Sequence, residues 1–348
     1  MPNIPPDALE RLVRDTFVGW NTPADDATWV AAMLVRANLR GHDSHGVIRV
    51  PHYVRSLKAG ETNPRPKIQV EYETPTIARV DGDLGFGQVV ARRGIAIAIE
   101  KATAQGLSAV TLRRTNHVGR LADYAEIAAA AGLIGMVWVN APMALNVAPT
   151  GGAARRLGTN PHAVGIPGPN GTVAMSLDFA TSVWAEGKLK VKYARGEAVP
   201  PGIMQNAAGA PSTDPREYYG DPVGSLLTMG QHKGYGLSLA IEVLAGILSG
   251  TGAARPERGA VQNGTLMMCI DVSQFVPPAD FHAEVARVFD FVRSAPLATG
   301  AKEILIPGEP EERTSRERRA HGVPVEDETW RQLAECAAEV GVTPPGVR

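Results

Sequence analysis

Residues 41–53 carry the densest set of chemically capable side chains in the sequence. Ser44 and His45 are adjacent in a short polar turn, and Arg49 and Tyr53 follow at intervals of four. If the segment is helical, this spacing brings the ends of the three long side chains near one face. The segment would then offer a proton-transfer group, a cation that anchors a carboxylate, and a phenol. An enzyme acting on a small hydroxy or keto acid needs these groups.

Two other uses of this segment are disfavoured. Ser44 stands in His-x-Ser-x-Gly, which differs from the nucleophile-elbow pattern of hydrolases at one residue. That elbow needs a preceding strand, and here a predicted helix precedes it. A serine hydroxyl also rarely reaches the imidazole of the next residue. A structural zinc site needs four protein ligands and a catalytic one three. His42 and His45 are three residues apart and His52 is near, but no other ligand in the sequence converges on them. We therefore predict neither a serine hydrolase nor a metal site.

The composition limits the remaining classes of protein. The chain has 348 residues, and 35 Lys and Arg nearly balance 36 Asp and Glu, so no basic field indicates nucleic-acid binding. Two cysteines, Cys269 and Cys336, are too few for a disulfide framework, so a reducing cytoplasm is the default expectation. Residues 1–10 lack the features of a signal peptide, and no apolar run of about 18 residues indicates a membrane span.

The periodicity of apolar residues predicts the elements that position these side chains. We expect helices at residues 7–20, 25–40, about 48–60, 87–105, 119–131, 182–195, 233–249, 280–293, 311–320 and 326–340. We expect two short strands within residues 68–80 and further strands at 108–112, 134–139, 173–177 and 265–270, with loops at 141–172 and 196–222. Helices and strands alternate through the central region, which favours an α/β fold.

The common dinucleotide fingerprint is absent from this α/β pattern. Gly82, Gly85 and Gly87 form a glycine-rich turn, but their spacing does not match Gly-x-Gly-x-x-Gly, and no acidic residue follows at the expected place. No Walker-type phosphate loop is present either. If this chain binds a dinucleotide, it does so without the doubly wound phosphate cradle.

Several polar turns are scattered through the sequence, three of them after predicted strands. They are residues 116–120, 158–162, 178–182, 230–236 and 307–309. His117 and Asp178 each follow a strand, where ligand sites concentrate in α/β sheets, and the Asp178 carboxylate could hold a histidine in one tautomer. Lys233 begins a helix, so its charge would add to an anion site at the positive helix end.

Together these motifs closely resemble the malate/L-lactate dehydrogenase family of the second, non-Rossmann type. The matching segments, in chain order, are 41–53, 158–161, 178–182, 232–236 and 307–309, and the resemblance spans roughly residues 8–340. It implies an α/β, non-Rossmann NAD(P)-binding fold with a mixed sheet flanked by helices and a helical region from the two chain ends. The implied domains are a helical, substrate-side domain from 1–75 with about 280–348, and an α/β cofactor-binding domain from 76–279.

The resemblance also implies an activity. A member of this family would be an NAD- or NADP-dependent oxidoreductase that transfers a hydride between nicotinamide and C2 of a small 2-hydroxy acid or 2-keto acid. It would be a homodimer whose cofactor lies in a cleft near the partner subunit. A reductase of cyclic imino acids in the same fold is the nearest alternative, and a non-enzymatic small-molecule binding protein is an alternative from another class.

Site roles follow from the same resemblance, residue by residue. His45 would be the acid/base in a proton relay with Ser44 and Asp178, with His117 as its rival, and Arg49 would bind the substrate carboxylate. The substrate pocket would also include Tyr53, Thr159 and Asn160, although packing is an equal explanation for Tyr53. The cofactor would contact Asp178, Phe179, Ala180, Thr181, Ser182, His232, Lys233, Pro307, Gly308 and Glu309. Arg120 departs from the aromatic-rich segment of many relatives and would add a cation near the pocket.

Overall fold

The protein is described here from a computed structural model that covers residues 1–256 and 262–346. Its helices are α1 (Pro6–Gly19), α2 (Ala24–Leu39), α3 (Val50–Lys58), α4 (Gly87–Gln105), α5 (Ala122–Ala130), α6 (Glu186–Arg195), α7 (Pro215–Tyr219), α8 (His232–Ile241), α9 (Pro278–Arg293), α10 (Glu309–His321) and α11 (Asp327–Ala338). Its strands are β1 (Asn3–Ile4), β2 (Gln69–Glu73), β3 (Ile77–Gly85), β4 (Leu107–Thr115), β5 (Leu133–Asn140), β6 (His162–Pro167), β7 (Val173–Phe179), β8 (Met204–Gln205), β9 (Pro211–Ser212), β10 (Ser225–Leu226), β11 (Asn263–Asp271) and β12 (Val323–Pro324).

A seven-stranded sheet forms the centre of the molecule, in the order β2-β3-β4-β11-β5-β6-β7. β3 and β4 are parallel, whereas the other neighbouring pairs are antiparallel. α4 packs on β4 and β11, and α5 packs on β5 and β6. The predicted α/β fold with a mixed sheet flanked by helices is therefore confirmed.

Three hydrophobic clusters hold the fold together. The first joins the two chain ends, because residues of α1, α2 and α3 such as Phe17 and Leu34 pack with Leu333 of α11. The second lies on the sheet around Leu112 and Tyr124, and the third gathers residues between 147 and 226. The first cluster supports the proposed helical domain built from both termini, and the exact domain boundaries stay a prediction.

The register of the sheet brings several predicted turns to one end. Thr115, the last residue of β4, is paired with Asn263, and Asn140 at the end of β5 is paired with Gly264. At the start of β6, His162 is paired with Phe179, the last residue of β7. The turns that follow β4 and β7 and the turn that precedes β6 must therefore lie side by side.

Some predicted elements were wrong in extent. β6 lies in the stretch predicted as loop, where glycine and proline obscure its alternation. α6 begins at Glu186 and not at residue 182, because Ser182 forms a β-bridge with Thr228. The helix predicted at 233–249 is α8 followed by a π-helical segment, Glu242–Ile247. No helix within residues 1–256 and 262–346 has both the length and the apolar character needed to cross a membrane.

Candidate active site

Residues 43–49 do not continue the helix that carries Tyr53, contrary to the prediction from their spacing. They form two short 3-10 turns, Asp43–His45 and Val47–Arg49, and α3 begins only after them. Asn38 of α2 fixes these turns, since its Oδ1 accepts from the Val47 N–H at 2.8 Å and its Nδ2 donates to Asp43 at 2.7 Å. A Cβ on Gly46 would collide with the Asn38 amide, so only glycine fits between the two turns.

Ser44 and His45 are hydrogen-bonded even though they are adjacent in sequence. The Ser44 Oγ lies 3.0 Å from His45 Nδ1, so the prediction that the hydroxyl would not reach its neighbour was wrong. The contact forms within the 3-10 turn Asp43–His45. A helix, α2, precedes Ser44, so the strand that a nucleophile elbow requires is not at this position.

Arg49 lies against the same turn and leaves part of its guanidinium available. Its Nε donates to the carbonyl oxygen of Ser44 at 2.6 Å. Within the residues that the structure describes, its two terminal nitrogens form no hydrogen bond or ion pair with the protein. Those nitrogens are the pair that makes parallel hydrogen bonds to a carboxylate.

His117 lies opposite His45, on the turn that follows β4. The two rings are stacked with centroids 5.5 Å apart and planes 20° apart. The Tyr53 hydroxyl lies 2.7 Å from His117 Nδ1, and Gln88 Nε2 donates to that hydroxyl at 2.8 Å. Gly87 lets α4 approach closely, because a Cβ there would collide with the His117 carbonyl oxygen. Sequence reasoning missed Gln88, since nothing marks a glutamine at a helix start as functional.

Both histidines are uncharged near neutral pH. Burial, reinforced by the positive charges of Arg49, His42 and Arg120, lowers the pKa of His45 to about 3. Burial, with Arg49 and His45 next in size, also holds the pKa of His117 well below its usual value. The pKa of Tyr53 is raised to about 12 by burial, so its hydroxyl keeps its proton. The site therefore presents two neutral imidazoles and a protonated phenol.

Asp178, near the end of β7, is held by the start of α5. Its Oδ2 accepts from the backbone N–H of Ala122 at 2.9 Å, and burial raises the pKa of its carboxyl against the influence of that hydrogen bond and of Arg120. Among the described residues no hydrogen bond joins Asp178 to Ser44 or His45. In the described part of the chain, the predicted relay is therefore hydrogen-bonded between Ser44 and His45 and does not include Asp178.

The charge of Arg120 is compensated by two buried carboxylates. Its guanidinium donates to Asp123 at 2.7 Å and to Glu126 at 2.9 Å, and its side chain is only 2% exposed. Burial opposes ionisation of Glu126, but Arg120 and the Ser176 hydroxyl together lower its pKa to about 2. Arg120 therefore belongs to a buried ion cluster, and its charge still contributes to the low pKa of His45, so the expectation of a cation near the pocket stays a prediction.

No constellation of metal ligands surrounds the histidines. His42 Nε2 lies 3.6 Å from the Glu311 carboxylate, which is its one acidic neighbour in the ion pairs described. Throughout residues 1–256 and 262–346, no three His, Cys, Asp or Glu side chains are close enough together to hold a metal ion.

Thr159 and Asn160 form a constrained turn beside the sheet end. Both the backbone N–H and the hydroxyl of Thr181 donate to the Thr159 carbonyl oxygen at 2.9 Å. Asn160 has a φ of +33°, and its amide donates to Glu242 at 2.7 Å and to Ser238. The Asn160 amide thus turns toward α8. Glu242 was missed, although a carboxylate within an apolar helix is a sequence signal that could have found it.

The residues predicted to contact the cofactor occupy two neighbouring groups. In the first, the Met229 N–H donates to the Thr181 carbonyl at 2.8 Å, which brings the start of α8 next to residues 178–182. His232 and Lys233 are exposed there, and Lys233 forms no ion pair within the described residues. In the second group, Gly308 has a φ of +102° and packs on Ser176 of β7.

The remaining predicted cofactor residues have protein partners. Glu309 accepts from the Ile306 N–H at 2.7 Å and from Arg293 at 2.8 Å. Phe179 packs edge-on against His162, with ring centroids 5.7 Å apart. Pro307 accepts a hydrogen bond from the Ser176 N–H at 3.0 Å, which ties residues 307–309 to β7.

Comparison with known proteins decides the family. A family model described as malate/L-lactate dehydrogenase matches residues 4–334. The chain belongs to the malate/L-lactate dehydrogenase family. The family resemblance predicted from the five motifs is thereby confirmed. Membership also places the chain in an oxidoreductase family and accounts for a mixed sheet that lacks the glycine fingerprint.

Individual proteins of known structure or activity are similar to almost the whole of this chain. Hydroxycarboxylate dehydrogenase B of Escherichia coli (strain K12) is 36% identical over 339 residues, covering 96% of this chain and 93% of the relative. L-sulfolactate dehydrogenase of Methanothermobacter thermautotrophicus is 36% identical over 346 residues, covering 97% of each. The solved structure of malate dehydrogenase from Pyrococcus horikoshii OT3 has a TM-score of 0.89 and 35% identity, covering 99% of this chain and 97% of that one.

Proposed function

We propose that this protein is an NAD- or NADP-dependent dehydrogenase that interconverts a small 2-hydroxy acid and its 2-keto acid. The observation that carries the proposal is that Arg49 lies near two neutral histidines that face each other. In the described residues the terminal nitrogens of Arg49 have no protein partner. A cation, a base and a hydrogen-bond donor within one site match a carboxylate next to a hydroxyl-bearing carbon. The three relatives support this substrate class, since each is a dehydrogenase of a hydroxy acid.

Arg49 would hold the substrate by its carboxylate. Its Nε already donates to the Ser44 carbonyl oxygen, which restrains the guanidinium group and leaves the two terminal nitrogens for a ligand. Two parallel hydrogen bonds from these nitrogens would fix which face of C2 is presented for hydride transfer. Tyr53 is not free to bind the substrate directly, because its hydroxyl is shared between His117 and Gln88.

His45 would transfer the proton. In the oxidation direction the neutral imidazole takes the proton of the C2 hydroxyl, and in reduction the imidazolium returns it. A bound carboxylate would offset the charge of Arg49, which contributes to the low pKa of His45, so substrate binding would bring that pKa closer to neutrality. We propose that Ser44 orients the ring through Nδ1, and that Asp178 joins the relay once substrate and cofactor are bound.

The cofactor would lie across the start of α8 and the end of β7. Lys233 and the N-terminus of α8 provide positive charge for phosphate groups, and the chain at 178–182 runs alongside. Lys233 is exposed and has no ion-pair partner in the described part of the chain, which fits an anionic ligand at this place. A bound nicotinamide would donate or accept the hydride. The protein's part is to orient C2 through Arg49 and to move the proton.

We further propose a homodimer in which a second copy of this chain covers two exposed apolar faces. No residue of α9 is buried, and Phe291 on this helix exposes 72% of its surface. Ile247 and Leu248, next to the proposed cofactor cleft, are each 57% exposed. Apolar faces of this size on a folded domain usually mark an interface. Light scattering should find a dimer, and Phe291→Glu should yield a monomer; a monomeric native protein would contradict this.

The free cysteines are consistent with a cytoplasmic location, which we also propose. Cys269 and Cys336 are both buried and unpaired. Burial raises the pKa of the Cys269 thiol to about 12, so this thiol stays protonated and unreactive.

Enzyme assays test the activity directly. Purified protein is offered malate, lactate, sulfolactate and aromatic 2-hydroxy acids with NAD or NADP, and in reverse a keto acid and a cyclic imino acid with the reduced cofactors. Turnover of a hydroxy acid or keto acid is expected. Turnover of the cyclic imine alone would favour an imino acid reductase. Binding of an acid without turnover of any compound would favour a binding protein. His321→Ala, an exposed histidine on α10, serves as the matched control for His45→Ala.

A further inference from the structure

We propose that Gln88 is a positioning residue that acts through the Tyr53 hydroxyl to keep His117 protonated on Nε2, so that His117 donates a hydrogen bond to the substrate oxygen. The catalytic part of this inference rests on the function proposed above. The hydrogen-bond arrangement itself does not depend on that function. The two can therefore be tested separately.

The three side chains form one buried chain of hydrogen bonds. Gln88 is 0% exposed at the second position of α4, and its Nε2 lies 2.8 Å from the Tyr53 oxygen. The same oxygen lies 2.7 Å from His117 Nδ1 and 3.5 Å from the His117 carbonyl oxygen. Gly119, with a φ of +83°, lets the following turn pass close to the Gln88 amide, since a Cβ there would meet Nε2 at 3.3 Å.

The direction of these bonds follows from the number of protons. A phenol has one proton to donate, and the Gln88 amide N–H already uses the oxygen as an acceptor. The nearest acceptor for the phenol proton is His117 Nδ1, which must then be unprotonated. A neutral imidazole carries its single proton on the other nitrogen. His117 therefore presents an Nε2–H group.

The other end of the Gln88 amide supports this orientation. Its Oε1 is buried and has no hydrogen-bond partner within the described residues. Turning the amide over would leave a buried NH₂ group, with two donors, at the position where no acceptor was found. Within the described residues, the present orientation leaves one N–H and the carbonyl oxygen without a partner, whereas the reversed one would leave both N–H groups without one, and a buried N–H without an acceptor is the rarer of the two defects. The orientation that directs the phenol proton to His117 is therefore the stable one.

His117 then complements His45. The two rings are stacked 5.5 Å apart, so one substrate oxygen can approach both edges. His45 would take the proton while the Nε2–H of His117 stabilises the negative charge that develops on that oxygen. The charged or titratable groups acting on His117 are His45, Arg49, and from α3 His52 and Tyr53. At this contact α4 adds only the neutral amide of Gln88.

The test is a graded series of substitutions at Gln88. A carboxylate in Gln88→Glu can only accept, so it should draw the phenol proton away and leave the Tyr53 oxygen to accept from an Nδ1–H group on His117. Gln88→Met removes the directing donor and should give a mixture of both tautomers. Nitrogen NMR of histidine-labelled protein reads the tautomer without any substrate, and His117→Asn assigns the signal.

The expected results are Nε2–H in the native protein, a mixture in the Met variant, and Nδ1–H in the Glu variant once its carboxyl ionises. In the assay, Gln88→Glu should lower kcat roughly a hundredfold, as loss of an oxyanion donor does, with KM little changed because Arg49 is intact. The effect of Gln88→Glu should disappear in a Tyr53→Phe background, and Tyr53→Phe alone tests the chain if the Gln88 variants do not fold.

Three results would each overturn the inference: an Nδ1–H tautomer in the native protein, the same tautomer in the native protein and in the Glu protein with its carboxyl ionised, or an effect of Gln88→Glu that persists without the Tyr53 hydroxyl. A native protein with the expected tautomer and no turnover of any hydroxy acid would overturn the proposed function and leave the hydrogen-bond assignment standing.

Discussion

The two histidines of the site face each other but are held by different parts of the chain. His45 is bound to its own neighbour, Ser44, within a turn whose shape Asn38 and Gly46 fix. His117 is bound to Tyr53 of α3 and, through it, to Gln88 of α4. One histidine is thus oriented by local sequence and the other by tertiary packing. We infer that these two supports produce two functions, a base at His45 and a donor at His117.

Replacing each histidine tests this division most strongly. His45→Ala should lower kcat by about two to four decades, because the proton then has no acceptor. His117→Ala should lower it by roughly two decades, because only a donor is lost. Steady-state kinetics with saturating cofactor measure both losses, and cofactor affinity should change little. The reverse order, with the larger loss at His117, would exchange the two roles.

Arg49 acts on both histidines, since its charge lowers the pKa of each. Arg49→Lys cannot make two parallel hydrogen bonds, so KM for the acid should rise about tenfold or more with a smaller change in kcat. Arg55→Lys, an exposed arginine on α3, is the matched control. An unchanged KM in Arg49→Lys would show that the carboxylate is bound elsewhere.

Sequence patterns were informative where the information is local. The 41–53 segment, the alternation of helices and strands, and the order of the five family motifs could all be found in the sequence alone. The stacking of His45 on His117 and the role of Gln88 depend on side chains far apart in sequence. Arg120 is different, because its partners Asp123 and Glu126 lie only three and six residues away, yet the burial of this ion cluster does not follow from the sequence pattern.

A smaller effect, on the acid stability of the protein, should show that His45 is held neutral in the folded state. The pKa of His45 is about 3 in the folded protein and near 6.5 when unfolded, so between these values the unfolded chain binds more protons. Stability therefore falls as the pH is lowered from 6.5, by at most about 1.4 kcal/mol per pH unit for this one group. Urea unfolding across this range should show a shallower decline in His45→Asn. Equal slopes would mean that His45 is not held neutral.

We propose that Arg49 binds the carboxylate of a 2-hydroxy acid and that the histidine pair moves its hydroxyl proton, while a bound nicotinamide would accept the hydride. This proposal is tested most directly by following the absorbance of reduced nicotinamide when the native protein meets a preferred 2-hydroxy acid or the matching 2-hydroxy amide. We expect rapid reduction of the cofactor with the acid, little with the amide, and loss of this preference in Arg49→Lys. Equal rates for acid and amide in the native protein, or no cofactor reduction with any 2-hydroxy acid, would contradict it.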